Sequence, residues 1–226
     1  MNYKIQNPVV DSFQAFLVEG AKLTKNEEYP IIPIDFVSEN LPKDILPFEK
    51  AITYHGDLSN TFICFFAPDK SFERVRRNPN KYVIFFKRTA GIIGFDFSIH
   101  TDMPIIKQKS QINDNLSLTY FYGKHGIPVI PNARCGIDKL LPEFLEALPK
   151  NSIIAVGTHG FIKEKRNRYE WLYFLNLLID NLHPKQIVVY GTLNSQIFDD
   201  IKNKVDIVCY DSWIDKRRKE VLANEH

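Results

Sequence analysis

The chain contains the stretch Gly91-Ile-Ile-Gly-Phe-Asp-Phe-Ser-Ile-His-Thr-Asp-Met-Pro104, in which a short apolar run leads into a dense set of polar side chains. The apolar residues predict a central buried strand over 92–97. Polar side chains follow at alternate positions, namely Asp96, Ser98, His100 and Asp102. Alternate side chains of an extended chain point to the same side. We therefore expect any functional site to include this stretch.

Short apolar runs alternate with helical patterns on either side of this stretch. Besides 92–97, strands are predicted at 61–66, 127–131, 152–156, 186–190 and 205–209, with a weak strand at 51–54 and a candidate edge strand at 31–34. Helices are predicted at 80–88, 107–122, 137–148, 167–182, 195–204 and 212–223. Because each strand from residue 92 onward is followed by a helix, the chain predicts a parallel sheet with helical crossovers.

The number of strands bounds the architecture of this α/β fold. A parallel βα-repeat sheet of up to about eight strands permits a small or incomplete (β/α) barrel, and an open doubly wound sheet is the alternative. Residues 1–50 are expected to form an irregular N-terminal lead-in packed on the main body, and residues 51–226 a single α/β domain. In either architecture, ligands bind at the carboxyl ends of the strands.

Polar side chains collect at the predicted strand ends. The candidate catalytic residues are Asp96, His100 and His159, since carboxylates and imidazoles can do acid–base chemistry. The candidate ligand-binding residues are Ser98, Asn132, Arg134, Gly157, Thr158, Gly191 and Thr192. An arginine can bind a phosphate, and backbone amides beside a glycine can approach an anion. The carboxyl ends of the strands could also hold a divalent metal, although no spacing of ligand residues identifies one.

Several of these candidates also have a purely structural interpretation. Asp102 is well placed to be the N-cap of the helix that follows it. Arg134 could be a structural partner of Asp96, and His159 could be a hydrogen-bonded core histidine. The glycines at the strand ends could serve tight turns alone.

Composition and charge exclude several classes of protein. The net charge of +2, from 29 basic and 27 acidic residues, provides no strong field for nucleic acid or an anionic membrane. Basic runs at 74–77, 163–168 and 216–219 would have to share one face to bind nucleic acid. The three cysteines lack a zinc or redox spacing. No run approaches the roughly 18 apolar residues of a membrane span, so a cytoplasmic protein without a membrane partner is expected.

Five segments, in their order and spacing, carry a family resemblance: Ser71-Phe-Glu-Arg-Val-Arg-Arg-Asn-Pro-Asn-Lys-Tyr82, Gly94-Phe-Asp-Phe-Ser-Ile-His-Thr-Asp-Met-Pro104, Ile127-Pro-Val-Ile-Pro-Asn132, Ala155-Val-Gly-Thr-His-Gly160 and Ile187-Val-Val-Tyr-Gly191. They resemble the uncharacterised domain-of-unknown-function family 4417 of bacteria, archaea, phages and other mobile elements. The resemblance implies that the second segment is the family's most characteristic motif, and that Gly157 and Gly191 match its glycine-bearing strand ends. The chain departs from the family after this motif, where Ile112-Asn-Asp-Asn115 replaces a basic stretch.

The leading functional hypothesis is a phage or mobile-element-type protein that binds a phosphate-bearing ligand, such as a nucleotide or a nucleic-acid end, and that could hydrolyse it. In this hypothesis Asp96 is a metal ligand or general base, His100 and His159 are acid–base or ligand groups, and Arg134 pairs with the anion. One alternative is a non-catalytic protein that binds nucleic acid or a host protein, and another is a nucleotide sponge. The residues do not decide between an enzyme and a binding protein.

Overall fold

The computed structural model describes residues 11, 13–136, 138–158, 165–192 and 199–224, with residues 165–168 and 224 described by their backbone alone. The strands are β1 (Asp44–Pro47), β2 (Thr61–Cys64), β3 (Gly91–Ile93), β4 (Val129–Ile130), β5 (Ile153–Gly157), β6 (Gln186–Tyr190) and β7 (Asp206–Tyr210). The α-helices are α1 (Phe48–Ala51), α2 (Glu73–Arg77), α3 (Val83–Phe86), α4 (Ile105–Lys124), α5 (Leu141–Ala147), α6 (Lys165–Leu182) and α7 (Trp213–Asn224).

All the strand pairs are parallel, which confirms the predicted α/β fold with a parallel βα sheet. Strands β1 to β4 form a four-stranded sheet in chain order, and β5 to β7 form a three-stranded sheet. A single parallel bridge between Asn132 and Ala155 lies between the two sheets. The described strands do not close into a barrel, which is consistent with the open sheet that the sequence left as the alternative.

The sequence prediction was wrong at three strands. Residues 51–54 end α1 and enter a turn, and the first strand is instead β1, where only two apolar residues lie between Asp44 and Pro47. Residues 31–33 form no strand, and Ile34 begins a 3-10 helix, Ile34–Phe36. The central strand ends at Ile93. The Gly94 N–H still donates to the carbonyl of Ile130 in β4 at 2.8 Å, but the N–H groups of Phe95 and Phe97 bond to side chains of α4.

The predicted helices are largely present. Those at 107–122, 167–182 and 212–223 correspond to α4, α6 and α7. Those at 80–88 and 137–148 are each a 3-10 turn followed by a short α-helix, at Pro79–Tyr82 with α3 and at Asp138–Leu140 with α5. Most of the helix predicted at 195–204 lies outside the described residues.

Both faces of the strands are apolar, as expected for parallel strands. One face packs with the helices in the main core, to which β2 to β6 contribute Ile63, Ile92, Val129, Ile154 and Ile187. The alternate residues on the other face form a second apolar cluster of Ile45, Phe62, Cys64, Ile93, Ile130, Ile153, Ala155, Val188 and Tyr190. This second cluster includes residues from both sheets, so the two sheets pack against one another across it.

The N-terminal segment is attached to α5. The backbone N–H of Ile32 donates to the carbonyl of Ala147 at 2.9 Å. The carboxylate of Glu143 accepts bonds from the backbone N–H of Asn26 at 2.6 Å and of Glu27 at 2.9 Å, and from the Asn26 side-chain amide at 2.7 Å. Glu143 therefore satisfies three donors of this segment with one side chain.

The last strand and last helix contact the first strand. The Tyr210 hydroxyl donates to the carbonyl of Pro42 at 2.6 Å. The Lys216 ammonium pairs with the Asp44 carboxylate and lies 3.5 Å from the carbonyl of Ile45. The Lys50 ammonium lies 4.4 Å from the centre of the Trp213 ring, a cation–π contact. These side chains connect elements from opposite ends of the described chain.

Candidate functional site

Asp96, Asn132 and Arg134 meet at the carboxyl ends of the adjacent strands β3 and β4. The Asn132 amide donates to Asp96 Oδ1 at 2.8 Å and to the carbonyl of Phe95 at 3.1 Å. Arg134 Nη1 lies 3.9 Å from Asp96 Oδ2, and Arg134 Nη2 donates to the carbonyl of Ile99 at 3.3 Å. The side chains of Asp96 and Arg134 remain 14% and 18% exposed, so solvent still reaches the pair.

The proton affinity of Asp96 is raised. Burial raises its pKa above the ordinary value of 3.8, and the neighbouring carboxylate of Asp69 adds to the rise. The Arg134 charge and the Asn132 hydrogen bond oppose it without cancelling it. A carboxylate with a raised pKa, beside a cation and in contact with solvent, is suited to accept or donate a proton.

Asp69 is a member of the site that the sequence analysis missed. It begins a 3-10 helix, Asp69–Ser71, shortly after β2. Its Oδ1 atom accepts hydrogen bonds from the Ser98 backbone N–H at 3.1 Å and from the Ser98 hydroxyl at 2.9 Å. The signal was available, because Asp69 follows the strongly predicted strand at 61–66 and so belongs to the same strand edge as Asp96.

Helix α4 fixes the backbone that carries Asp96 and Ser98. The Asn115 side chain accepts from the N–H of Phe97 at 2.8 Å and donates to its carbonyl at 3.3 Å, as a neighbouring strand would. The Gln111 amide donates to the carbonyl of Ser98 at 3.3 Å. Phe95 and Phe97, each 1% exposed, point into the core between these polar residues. The predicted alternation therefore holds as far as Ser98.

His100 and Asp102 lie outside this group. Both are exposed in a turn, which the bond from the Met103 N–H to the His100 carbonyl closes at 3.1 Å. Asp102 is not the N-cap that the sequence predicted, because α4 begins at Ile105, with Pro104 in the cap position and no capping side chain. Thr192 is exposed, and His159 lies outside the described residues.

Gly157 and Gly191 make room for protein side chains. A Cβ atom on Gly157 would lie 2.7 Å from the Phe66 ring. A Cβ atom on Gly191, whose φ is +107°, would lie 2.4 Å from Thr158 Oγ1. The Thr158 hydroxyl itself donates to the carbonyl of Tyr190 at 3.3 Å. Both glycines thus allow a side chain to approach the backbone closely, a role that differs from the tight turns expected from the sequence.

A second group at the same strand edge was also missed. Glu49 lies two residues after β1, Cys64 ends β2 and Tyr190 ends β6. Burial raises the pKa of Cys64 and of Tyr190, and the Glu49 carboxylate adds to both increases. Within the described part of the chain, Glu49 Oε2 is buried without a hydrogen-bond partner. The Tyr190 hydroxyl accepts from the Trp213 N–H at 2.9 Å, so this group joins the strand edge to α7.

Comparison with known proteins identifies the family. The family model described as Domain of unknown function (DUF4417) matches residues 25–211. The chain belongs to this family. It is 27% identical over 160 residues to the Gene 1 protein of Mycobacterium phage L5, which covers 71% of this chain and 69% of the relative. It is 23% identical over 189 residues to the Gene 1 protein of Mycobacterium phage D29, covering 84% and 68%. No solved structure matches significantly.

The matched range of this DUF4417 protein contains both polar groups at the strand edge. The family resemblance inferred from the five sequence segments is confirmed, and with it the association with phage proteins. Cys64, Cys135 and Cys209 are all free. No group of three or more His, Cys, Asp or Glu side chains among the described residues is arranged to hold a metal ion. In that same part of the chain, no helix is long and apolar enough to cross a membrane.

The basic runs of this DUF4417 protein are largely paired with carboxylates. Arg76 pairs with Glu73 at 2.7 Å and with Asp114 at 2.8 Å, and Arg77 pairs with Glu73 at 3.4 Å. The four basic residues at 216–219 pair with Asp44, Glu220, Asp215 and Asp211 respectively. No side chain is described for 163–168. In two of the three runs, most of the basic side chains therefore have a carboxylate partner at the protein surface.

Proposed function

We propose that this phage-associated protein binds a phosphate-bearing ligand, a nucleotide or a nucleic-acid end, at the carboxyl ends of β3 and β4. The supporting observation is the position of Arg134, with Nη1 3.9 Å from the Asp96 carboxylate and its side chain still partly exposed. Charge-assisted hydrogen bonds are about 2.7–2.9 Å long, so this ion pair is loose enough for an incoming phosphate oxygen to compete for the guanidinium. Asn132 holds Asp96 in place while this happens.

Asp96 gives the same site a means of hydrolysis. Its raised pKa favours taking a proton from an attacking water molecule, which is the work of a general base. Ser98, Thr158 and Thr192 are kept as candidate ligand-binding residues, and His100 as a candidate acid–base group. Gly157, Gly191 and His159 keep their proposed roles at the next strand ends. A divalent metal, if one takes part, would come with the phosphate and use Asp96 as its protein ligand.

The test is thermal melting of the purified protein with ATP, a cyclic dinucleotide, a short oligonucleotide and inorganic phosphate, each with and without Mg²⁺. A ligand at about one hundred times its dissociation constant stabilises the folded state by roughly 2.7 kcal/mol. We expect at least one phosphate compound to raise the melting temperature, and Arg134→Ala to remove the shift. Arg77→Ala is the matched control, since Arg77 is also an arginine that pairs with a carboxylate, Glu73.

Asp96→Asn separates an enzyme from a ligand sponge. If the protein hydrolyses its ligand, mass spectrometry of the recovered ligand will show product with the wild type and intact ligand with Asp96→Asn. If both proteins return intact ligand, the site binds without turnover. A shift that survives in Arg134→Ala would mean that the ligand binds elsewhere and would contradict the proposed site. No shift with any compound would also contradict it and would favour binding to a host protein.

A further inference from the structure

A cavity lies at the opposite edge of the sheet from the candidate functional site. Its walls come from Ile52 and residues 54–58, which precede β2, and from Phe85 and Arg88, which precede β3. The cavity volume is about 320 Å³, which falls at the lower end of the roughly 300–1,000 Å³ typical of small-molecule sites. Because the strands are parallel, this is the edge where β2 and β3 begin. The length of strand β2, about 10 Å, separates the two sites.

Local backbone hydrogen bonds, between residues three positions apart, fix the loops that form the walls of this cavity. In the first loop, the Tyr54 N–H donates to the carbonyl of Ala51 at 3.1 Å, and the Thr61 N–H donates to the carbonyl of Leu58 at 2.9 Å. In the second, the Arg88 N–H donates to the carbonyl of Phe85 at 3.1 Å. A site that is fixed before a ligand arrives loses little conformational entropy when it binds one.

The cavity combines rings, an apolar floor and a cation. Ile52, Leu58 and Phe85 supply apolar surface, and Phe85 packs edge-on against the core ring of Phe48 at 6.2 Å. The Tyr54 ring is 55% exposed at the rim. It lies so close to the Gly56 backbone that a Cβ atom there would be 2.5 Å from the ring. Tyr54 thus presents an exposed aromatic face beside an apolar floor.

Arg88 is available to a ligand. Its side chain is exposed, and within the described part of the chain no carboxylate pairs with it. This distinguishes it from Arg76, which has two carboxylate partners. The one carboxylate in the cavity wall, Asp57, is already bonded to the Ser59 N–H at 2.9 Å and to the Ser59 hydroxyl at 2.7 Å. Asp57 keeps its negative charge, since its hydrogen bonds with Ser59 lower its pKa. Both bonds hold this carboxylate on Ser59, and the Arg88 guanidinium remains the group in the wall that can bind an anion.

We propose that this cavity is a second ligand site, specific for a small planar ring that carries an anionic group. The ring lies between Tyr54 and the floor of Ile52, Leu58 and Phe85, and its phosphate or carboxylate binds the Arg88 guanidinium. Arginine suits this role because its planar fork donates two parallel hydrogen bonds to such an anion. The site is independent of the one proposed at the carboxyl ends of the strands.

The test is ligand-observed NMR titration of the full chain with adenosine monophosphate, benzoate and inorganic phosphate. The first two probes carry a ring with a phosphate or a carboxylate, and the third carries the anion without a ring. We expect a ring-bearing anion to bind saturably, with a dissociation constant of about 1 mM or lower, and phosphate to bind at least about tenfold more weakly. Saturable binding of either ring-bearing probe supports the proposal.

Four variants distinguish this cavity from other sites. Arg88→Ala and Tyr54→Ala should each weaken the ring-bearing anion at least about tenfold, and Gly56→Ala should weaken it by displacing the Tyr54 ring. Lys87→Ala is the matched control, because Lys87 is exposed beside Arg88 but does not line the cavity. All four are made in an Arg134→Ala background, which lacks the arginine of the other proposed site, so that the binding measured is assigned to this cavity. Absence of saturable binding, or binding that survives Arg88→Ala, would overturn the proposal.

Discussion

The carboxylate of Asp69 accepts two hydrogen bonds from Ser98, one from its backbone N–H at 3.1 Å and one from its hydroxyl at 2.9 Å. Asp69 follows β2 and Ser98 follows β3, so the pair joins the loops of two adjacent parallel strands. The same carboxylate raises the pKa of Asp96. Asp69 therefore has both a structural and an electrostatic effect on the candidate functional site.

Removing the Asp69 carboxylate should lower the free energy of unfolding more than removing the Ser98 hydroxyl does. Asp69→Ala leaves the partly buried Ser98 N–H without an acceptor, and we expect a loss of about 1–3 kcal/mol in the free energy of unfolding. Ser98→Ala removes one of two bonds and should cost about 1 kcal/mol. In urea unfolding, the double variant should lose no more than Asp69→Ala alone, because the hydroxyl bond is already absent there. Additive losses would show that the two side chains act separately.

The pH dependence of stability should reveal the raised pKa of Asp96. Below its ordinary value of 3.8, the folded and unfolded chains are both protonated at this position. As the pH rises through the folded pKa, the unfolded chain has already lost the proton, so the wild type loses stability. Urea unfolding from pH 3 to 7 should therefore show Asp96→Asn gaining stability relative to the wild type as the pH increases. The opposite slope would mean that the Arg134 charge dominates over burial.

Glu143 should show the opposite behaviour. Burial of its carboxylate opposes ionisation, but the hydrogen bonds from Glu27, Asn26 and Thr24 outweigh it and lower the pKa to about 2. The resulting stability is present above the ordinary value of 4.5 and is lost as the pH falls towards 2. At neutral pH, Glu143→Gln should cost roughly 1–3 kcal/mol, and the difference from the wild type should shrink in acid. A constant difference across this range would exclude a lowered pKa as its cause.

Alanine substitutions at two glycines distinguish the destabilisation caused by backbone strain from that caused by steric overlap. Gly126 has φ +78° and no atom within 4 Å of the position that a Cβ would take, whereas Gly191 has φ +107° and Thr158 Oγ1 at 2.4 Å from that position. Gly126→Ala should cost about 1 kcal/mol from its backbone conformation alone. Gly191→Ala should cost more, and thermal melting should show the difference at about 2–4 °C per kcal/mol for a chain of this size. Adding Thr158→Ala should recover part of the loss in Gly191→Ala only.

Much of the fold could be predicted because each long element carries its own periodicity. Helices α4 and α6 and strand β6 follow directly from apolar spacing and from the glycine or proline beyond them. Strand β1 could not, because Ile45 and Leu46 alone form no period, and its strand conformation comes from pairing with β2. The end of β3 depends likewise on Asn115, whose side chain replaces the neighbouring strand at Phe97.

The candidate site was predicted in part for a related reason. The rule that ligands bind at strand ends placed Asp96, Asn132 and Arg134 together, because each follows a strand that the sequence shows clearly. The same rule missed Glu49, which follows the one strand that could not be predicted. The alternation of side chains along an extended chain predicted that His100 would join the same group. The extended conformation ends before that, in the turn that the Met103 N–H closes by bonding to the His100 carbonyl. No local pattern distinguishes Arg88, which has no carboxylate partner in the described residues, from paired Arg76.

The contacts of Tyr210 with Pro42 and of Lys216 with Asp44 join residues 168 and 172 positions apart in the chain. During synthesis, β1 leaves the ribosome long before the residues that hold its outer edge exist. Contacts between such distant residues close slowly. Until they form, the edge of β1 is open to pairing with another chain. The interval between the making of the first strand and the docking of the last helix is thus the period in which this protein is most exposed to misassembly.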